Sequence, residues 1–205
     1  MKLNIGLFND SFPPTIDGVA NCVVNYARVI AKGPHECCVV TPKYPNVSDD
    51  YDFEVYRYSS MPLEQLIGYR AGNPFSPATI KELRNKNFDL IHTHAPFASS
   101  VLASFICKGH KRIPTVFTYH TKFDIEIPKR AKMKPITKMV KWFALNNINK
   151  ADEVWIVSKG AVKSLRDFGY KGSCVVMPNG TDFPKGISPD EEIHKINEQF
   201  QIGKD

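Results

Sequence analysis

Short apolar runs alternate with longer segments whose apolar positions recur every three or four residues. The strand-like runs are Lys2–Phe8, Glu36–Thr41, Phe53–Tyr58, Asp89–His92, Pro114–Tyr119, Glu153–Val157 and Ser173–Met177. Several are nearly continuous in Val, Ile, Leu and Phe, the pattern of strands covered on both faces. Between them lie helix-like segments. Gly18–Ala31 puts Val19, Val23, Tyr26 and Ile30 on one stripe, and Ser76–Arg84 opens with Ser and Pro. Phe97–Cys107, Pro135–Ile148 and Lys159–Phe168 complete the set. Such alternation predicts right-handed crossovers and an α/β, Rossmann-like, doubly wound and mainly parallel sheet of about seven strands, with helices on both faces. That domain is expected to span residues 1–187. Beyond Met177-Pro178-Asn179-Gly180 the chain passes Pro184, Gly186 and Pro189 into a polar helix, Asp190–Phe200. Residues 188–205 therefore read as a connector helix and linker.

Composition narrows the class. The 205 residues are 42% hydrophobic, enough to bury a sizeable core and to exclude a disordered chain. No apolar run approaches the roughly 18–20 residues that span a bilayer. The start, MKLNIGLFND, has neither the basic region nor the cleavage site of a signal peptide. A cytoplasmic chain is expected. Cys22, Cys37, Cys38, Cys107 and Cys174 are odd in number, sit mostly among apolar residues and form no C-x-x-C, so buried reduced thiols are expected.

The net charge of +6 is local. Residues 128–150 hold Lys129, Arg130, Lys132, Lys134, Lys138, Lys141 and Lys150 without an acidic residue, which leaves the rest at −1. One surface is basic, not the whole molecule. On a helix from Pro135, Ile136, Met139, Val140, Phe143 and Ile148 form an apolar stripe, with the lysines off it and Trp142 at its border. Two readings follow. The segment is an ordinary crossover helix with a solvated lysine face, or it is an interfacial surface meeting anionic lipid at the inner face of the membrane. In the second reading Lys129, Arg130, Lys132, Lys134, Lys138, Lys141 and Trp142 touch the membrane. A nucleic-acid partner is not expected, because no recognition motif accompanies the patch.

Ligands of open parallel sheets bind beyond the carboxyl ends of the strands, and polar residues collect there. After the first strand comes Asn9-Asp10-Ser11-Phe12-Pro13-Pro14-Thr15-Ile16-Asp17-Gly18, which runs into a helix start. Later strands end in His92-Thr93-His94, His120-Thr121, Ser158 and Asn179-Gly180. Neither G-x-G-x-x-G nor G-x-x-x-x-G-K-[ST] occurs. Gly18 at a helix N-terminus suits an anion, or simply makes the turn. His92 and His94, two apart, are expected on opposite faces, one packed and one in the crevice. A metal would need His94 and His120 with Asp10, Asp17 or Asp124, yet no ligand spacing such as H-E-x-x-H is present, so no metal is expected. His120 stands where an acid, base or hydroxyl-orienting group would stand. Ser158 reads by default as a helix cap, and Asn179-Gly180 as a turn.

In order, Asp10-x-Phe12-x-Pro14, Asp17-Gly18-Val19, Phe88-Asp89-Leu90-Ile91-His92-Thr93-His94, Thr118-Tyr119-His120-Thr121, Ala151-Asp152-Glu153-Val154-Trp155-Ile156-Val157-Ser158 and Met177-Pro178-Asn179-Gly180-Thr181-Asp182 resemble the acceptor-side domain of family 4 glycosyltransferases. The lipid-glycosylating, diacylglycerol glucosyltransferase-like members are the most similar. Asp17 precedes Gly18 where the family often pairs glycines, and Lys122-Phe123-Asp124-Ile125-Glu126 alters the acidic-aromatic run often found there.

The resemblance implies one half of a GT-B fold, with the active site between it and a donor-binding domain beyond residue 205. It implies sugar transfer from a nucleotide-sugar to a sugar or lipid acceptor, with retention of configuration and without cofactor or metal. His120 maps to the histidine near the reacting sugar. Asp17, Gly18, His94, Thr121, Ser158, Asn179 and Gly180 map to donor-phosphate or acceptor contacts. The lone domain is expected to be inactive. Two other readings stay open: a non-catalytic subunit pairing with a separate donor-domain chain, and a metal-dependent hydrolase using His94 and His120.

Overall fold

The computed structural model describes residues 1–67, 70–108, 112–120, 123, 134–180 and 188–200. The elements run β1 (Asn4–Phe8), α1 (Gly18–Lys32), β2 (Glu36–Pro42), β3 (Glu54–Tyr58), β4 (Ser60–Met61), α2 (Glu64–Ile67), β5 (Ala71–Gly72), α3 (Pro77–Asn85), β6 (Leu90–Thr93), α4 (Ala98–Cys107), β7 (Thr115–Tyr119), α5 (Lys134–Ile148), β8 (Glu153–Ile156), α6 (Lys159–Phe168), β9 (Val175–Val176) and α7 (Asp190–Phe200). Seven strands form one parallel sheet in the order β3-β2-β1-β6-β7-β8-β9. The chain winds outward from β1 through β2 to β3, then returns to place β6 on the other side of β1. That reversal opens a crevice at the carboxyl ends of β1 and β6. The small antiparallel pair β4–β5 and the single turn α2 carry no sequence signal, being only two, two and four residues long.

Alternation along the central strands sends side chains to two layers. Ile5 and Leu7 of β1, with Cys37 and Val39 of β2, pack against Val23, Val24 and Ala27 of α1. Phe8, Cys38 and Val40 face the other way, onto Leu83 of α3 and Leu102 and Ile106 of α4. On the β7–β8 side Phe117, Tyr119, Val154 and Ile156 bury against Ala144 and Ile148 of α5 and Leu165 and Phe168 of α6. Helices thus cover both faces.

Three sequence expectations are corrected here. The apolar stripe expected on α5 does not all pack. Ala144, Asn147 and Ile148 are its buried residues, while Ile136, Met139 and Phe143 join Trp142 in the solvent. At about 100° per residue Met139, Trp142 and Phe143 lie to one side of the packed arc, whereas Ile136 falls about 20° from Asn147 and is exposed in the first turn of the helix. Of the five free thiols, Cys37 and Cys38 are buried, but Cys22, Cys107 and Cys174 are half-buried. Cys22 and Cys107 belong to helices, where only one side meets the sheet. The third is the pair His92 and His94, which share one face of the sheet. The proposed boundary after residue 187 falls outside the described residues, and α7 buries none of its side chains.

Candidate functional site at the carboxyl edge of the sheet

The backbone of β1 continues past Phe8 into buried Asn9, Asp10 and Ser11. Asn9 N donates to Val40 O at 3.1 Å, and His94 N donates to Phe8 O at 2.9 Å, so the strand ends on both sides of β1 are tied together. The Asn9 side chain bonds back to Ser11 O at 2.6 Å. Asp10 turns toward α4, where its Oδ1 accepts from Ser99 N at 2.8 Å. Helix α4 has no side-chain cap of its own, since Phe97 stands at its N-cap position, and Asp10 supplies an acceptor from a distant strand. Burial pushes the Asp10 carboxyl up to about 7 against these hydrogen bonds. Asn9 Oδ1, Asp10 Oδ2 and His94 Nε2 are buried without hydrogen-bond partners among the described residues.

The three strand-end histidines form one cluster. The rings of His92 and His94 lie 4.0 Å apart, so they share a face, contrary to the sequence expectation. A strand repeats every two residues, which returns i and i+2 to the same side. Both rings meet Tyr26 of α1, at 5.5 and 5.7 Å, and His92 also meets Trp155 at 5.1 Å. Across to β7, His92 Nε2 lies 2.6 Å from Thr118 Oγ1, and His94 Nδ1 lies 2.9 Å from His120 Nε2. Thr118 and His120 are again two apart, which puts all four side chains on the face that α1 covers. Burial lowers His92 to about 3, holds His94 well below the usual imidazole range and lowers His120 to about 4. The Asp17 carboxylate partly opposes that effect on His120. All three rings are therefore neutral near pH 7.

The α1 start is capped by a side chain and uncrowded at its first residue. Asp17 is the N-cap, its Oδ1 accepting from Ala20 N at 2.7 Å. A Cβ built on Gly18 meets nothing within 4 Å. No internal clash explains a glycine there, so the space beside the Gly18 Cα is open. Gly180 is likewise open. Asn179 Oδ1 accepts from Cys22 Sγ at 3.4 Å, which brings the end of β9 to α1. Ser158 caps α6, its Oγ accepting from Ala161 N at 3.2 Å, as its position predicts. Thr121, Lys129, Arg130, Lys132 and Asp124 lie outside the described residues.

Among the described residues no three His, Cys, Asp or Glu side chains gather as a metal cage would require. No described helix is long and apolar enough to cross a membrane. Sequence reasoning missed Tyr26 as the floor of the histidine cluster and Thr118 as the partner of His92. Two-residue periodicity, read correctly from His92-Thr93-His94 and Thr118-Tyr119-His120, carries the signal for Thr118.

A doubly wound sheet whose polar residues collect at the strand ends beside an open helix start defines a ligand-binding α/β domain. The family model described as Glycosyltransferase Family 4 matches residues 16–183, and the chain belongs to that family. It is 27% identical over 201 residues to the alpha-monoglucosyldiacylglycerol synthase of Streptococcus pneumoniae, covering 96% of this chain and 44% of that protein. The corresponding synthase of Acholeplasma laidlawii is 30% identical over 214 residues, covering 99% and 53%. The chain thus spans about half the length of these curated relatives. Among solved structures, sucrose-phosphate synthase from Thermosynechococcus elongatus matches with a TM-score of 0.64 at 15% identity, covering 98% of this chain and 53% of that one. The apo lipopolysaccharide outer core galactosyltransferase WaaB matches with a TM-score of 0.57 at 15% identity, covering 91% and 48%. These likenesses confirm the α/β Rossmann-like fold.

Proposed function

We propose that this chain is the acceptor-side domain of a glycosyltransferase that moves a sugar from a nucleotide-sugar to a lipid or glycolipid acceptor with retention of configuration. The observation that carries the proposal is the juxtaposition at one sheet edge of a neutral, half-buried His120 and the open, Asp17-capped start of α1. Transfer from a nucleotide-sugar releases a diphosphate, and helix N–H groups with their dipole stabilise such charge without reorganising. Gly18 leaves room for the oxygens to approach. A neutral His120 is suited to hydrogen-bonding a hydroxyl at the reacting centre. Thr121, Ser158, Asn179 and Gly180 complete the donor or acceptor contacts, whereas His94, 2% exposed, reaches the ligand only through His120, and no metal or cofactor is required.

Residues 1–187 form the domain in this proposal, and residues 188–205 lead from it to a donor-binding domain. The two synthases, each about twice as long as this chain, support that reading, and the domain alone is proposed to be inactive. The basic segment with Lys134 and Lys138, and the exposed arc of Ile136, Met139, Trp142 and Phe143, give the domain a surface for anionic lipid at the cytoplasmic face, whereas Lys141 is turned to α6, where its Nζ donates to Asp167 O at 3.3 Å and lies over the Phe168 ring. The names of the two synthases support a lipid acceptor. The test is transfer of radiolabelled sugar from UDP-glucose or GDP-mannose to diacylglycerol and monoglucosyldiacylglycerol by the full-length protein. Product carrying the donor's anomeric configuration supports the reading. Absence of transfer with any donor overturns it in favour of a non-catalytic subunit.

A further inference from the structure

His94 stands behind His120. Its ring is 2% exposed, and its Nδ1 lies 2.9 Å from His120 Nε2. The two rings stack at 5.2 Å with planes 27° apart. On its other sides His94 is held by His92 at 4.0 Å and Tyr26 at 5.7 Å. His92 is itself anchored to Thr118. Packing therefore holds the His94 ring in place, and the remaining freedom is where the protons sit.

A neutral imidazole carries one N–H and one lone pair, so this bond needs one donor and one acceptor. Two arrangements satisfy it. In the first, His94 Nδ1–H donates to His120 Nε2, His94 Nε2 keeps a lone pair, and His120 carries its proton on Nδ1. In the second, His120 Nε2–H donates to His94 Nδ1, which forces the His94 proton onto Nε2. That atom is buried without a hydrogen-bond partner among the described residues. Orphaned buried N–H donors are rarer than under-used acceptors, which selects the first arrangement.

We propose that His94 is a positioning residue that locks His120 in the tautomer whose Nδ1–H is presented as a donor to an oxygen of the reacting sugar or acceptor. The proposal deepens, and rests on, the reading of His120 as the residue at the reacting centre. It separates donating a hydrogen bond from taking a proton: His120 Nε2, the lone pair a general base would use, is already occupied by His94.

Long-range proton–nitrogen correlation spectra of the imidazoles in the ¹⁵N-labelled chain test it. The expected spectrum has a pyridine-like Nε2 and a pyrrole-like Nδ1 for His120, and the same assignment for His94. The opposite pattern, or averaged shifts, overturns the proposal. Replacing His94→Leu is expected to release His120 into a mixture of tautomers. His94→Asn places an amide N–H where Nδ1–H stood and restores the single form. An unchanged His120 tautomer in His94→Leu assigns His94 to packing alone. If that variant fails to fold, the unaltered chain and His94→Asn decide.

In the full-length protein, His94→Leu is expected to lower kcat about tenfold with KM little changed, and His94→Asn to recover most of it. Titrating UDP-glucose and then GDP-mannose into the labelled full-length protein separates the two readings. Unmoved His120 signals with the expected tautomer count against the catalytic reading and leave the tautomer standing. Moved signals with the opposite tautomer do the reverse.

Discussion

At the scale of single residues, His120 and Gly18 separate function from stability. His120 is half-buried and neutral, a preorganised hydrogen-bond donor, so His120→Ala in the full-length protein is expected to lower kcat by about 100-fold or more. Its melting temperature, followed by circular dichroism, should drop by only a few degrees. Full turnover in that variant would remove His120 from the chemistry. Gly18 meets no atom that a Cβ would strike. Gly18→Ala should therefore raise melting slightly, by restricting the unfolded chain, while weakening nucleotide-sugar binding to the full-length protein about tenfold in calorimetric titration. Unchanged binding would reduce Gly18 to a turn former. The types of these residues were legible in the sequence, and so was their arrival at strand ends. Whether Gly18 faced open space or a packed neighbour was not, because a helix start looks the same in sequence whether or not anything stands beside it.

At the scale of elements, caps explain where several helices begin and end. Asp17 and Ser158 are N-caps in extended backbone, and α6 ends at Gly169 with φ of 109°, a left-handed conformation. Asp17→Ala is expected to cost about 1 kcal/mol by chemical denaturation, while Asp17→Ser keeps the cap and most of that stability. If Asp17 also serves the ligand, both variants lose donor binding, which divides its two roles. The elements themselves were largely legible: α6 and α7 begin and end where the pattern puts them, and the seven strands differ only at their ends. The exceptions have physical causes. The β4–β5 pair is too short to show a period. In α5 an apolar stripe was readable, but the sheet takes only the side holding Ala144, Asn147 and Ile148.

For the whole molecule, the buried ionisable groups set a pH response. His92, His94 and His120 are neutral when folded and hold their protons only well below the usual 6.5. The unfolded chain binds those protons first, so their contribution is present above pH 6.5 and is lost as pH falls toward 4. Asp10 acts oppositely: its carboxyl stays protonated up to about 7 when folded, so its stabilising effect is present below pH 4 and fades as pH rises to 7. Three histidines outweigh one aspartate. Stability is expected to fall by several kcal/mol, or about 10 °C in Tm, between pH 7 and pH 5. Asp10→Asn should remove the opposing contribution and steepen that fall. A flat Tm across this range would mean the histidines are not buried neutral. At the surface, Trp142 at 67% and Met139 at 63% exposure stand out beside Lys138. Vesicles rich in anionic lipid should shift Trp142 fluorescence to the blue, and neutral vesicles should not. Equal responses would return the segment to an ordinary crossover helix.

The sequence by itself determined the alternation of strand and helix, the caps, the confinement of excess charge to one segment and the collection of polar residues at strand ends. Each is a local property: periodicity, cap chemistry and charge are carried by residues near one another in the chain. The family motifs were equally visible, being six short segments in fixed order. Only the tertiary structure decided which residues meet. Residues 26, 92, 118 and 155 come from α1, β6, β7 and β8, and residues 94 and 120 directly follow β6 and β7; their contacts exist because β6 returns to lie beside β1 and β7. The same return carries Asp10 to the start of α4, where burial changes its protonation. Burial and partnership are properties of packing between distant segments. For that reason the tautomer of His120, the open space beside Gly18 and the exposed arc of α5 become readable only in the folded chain.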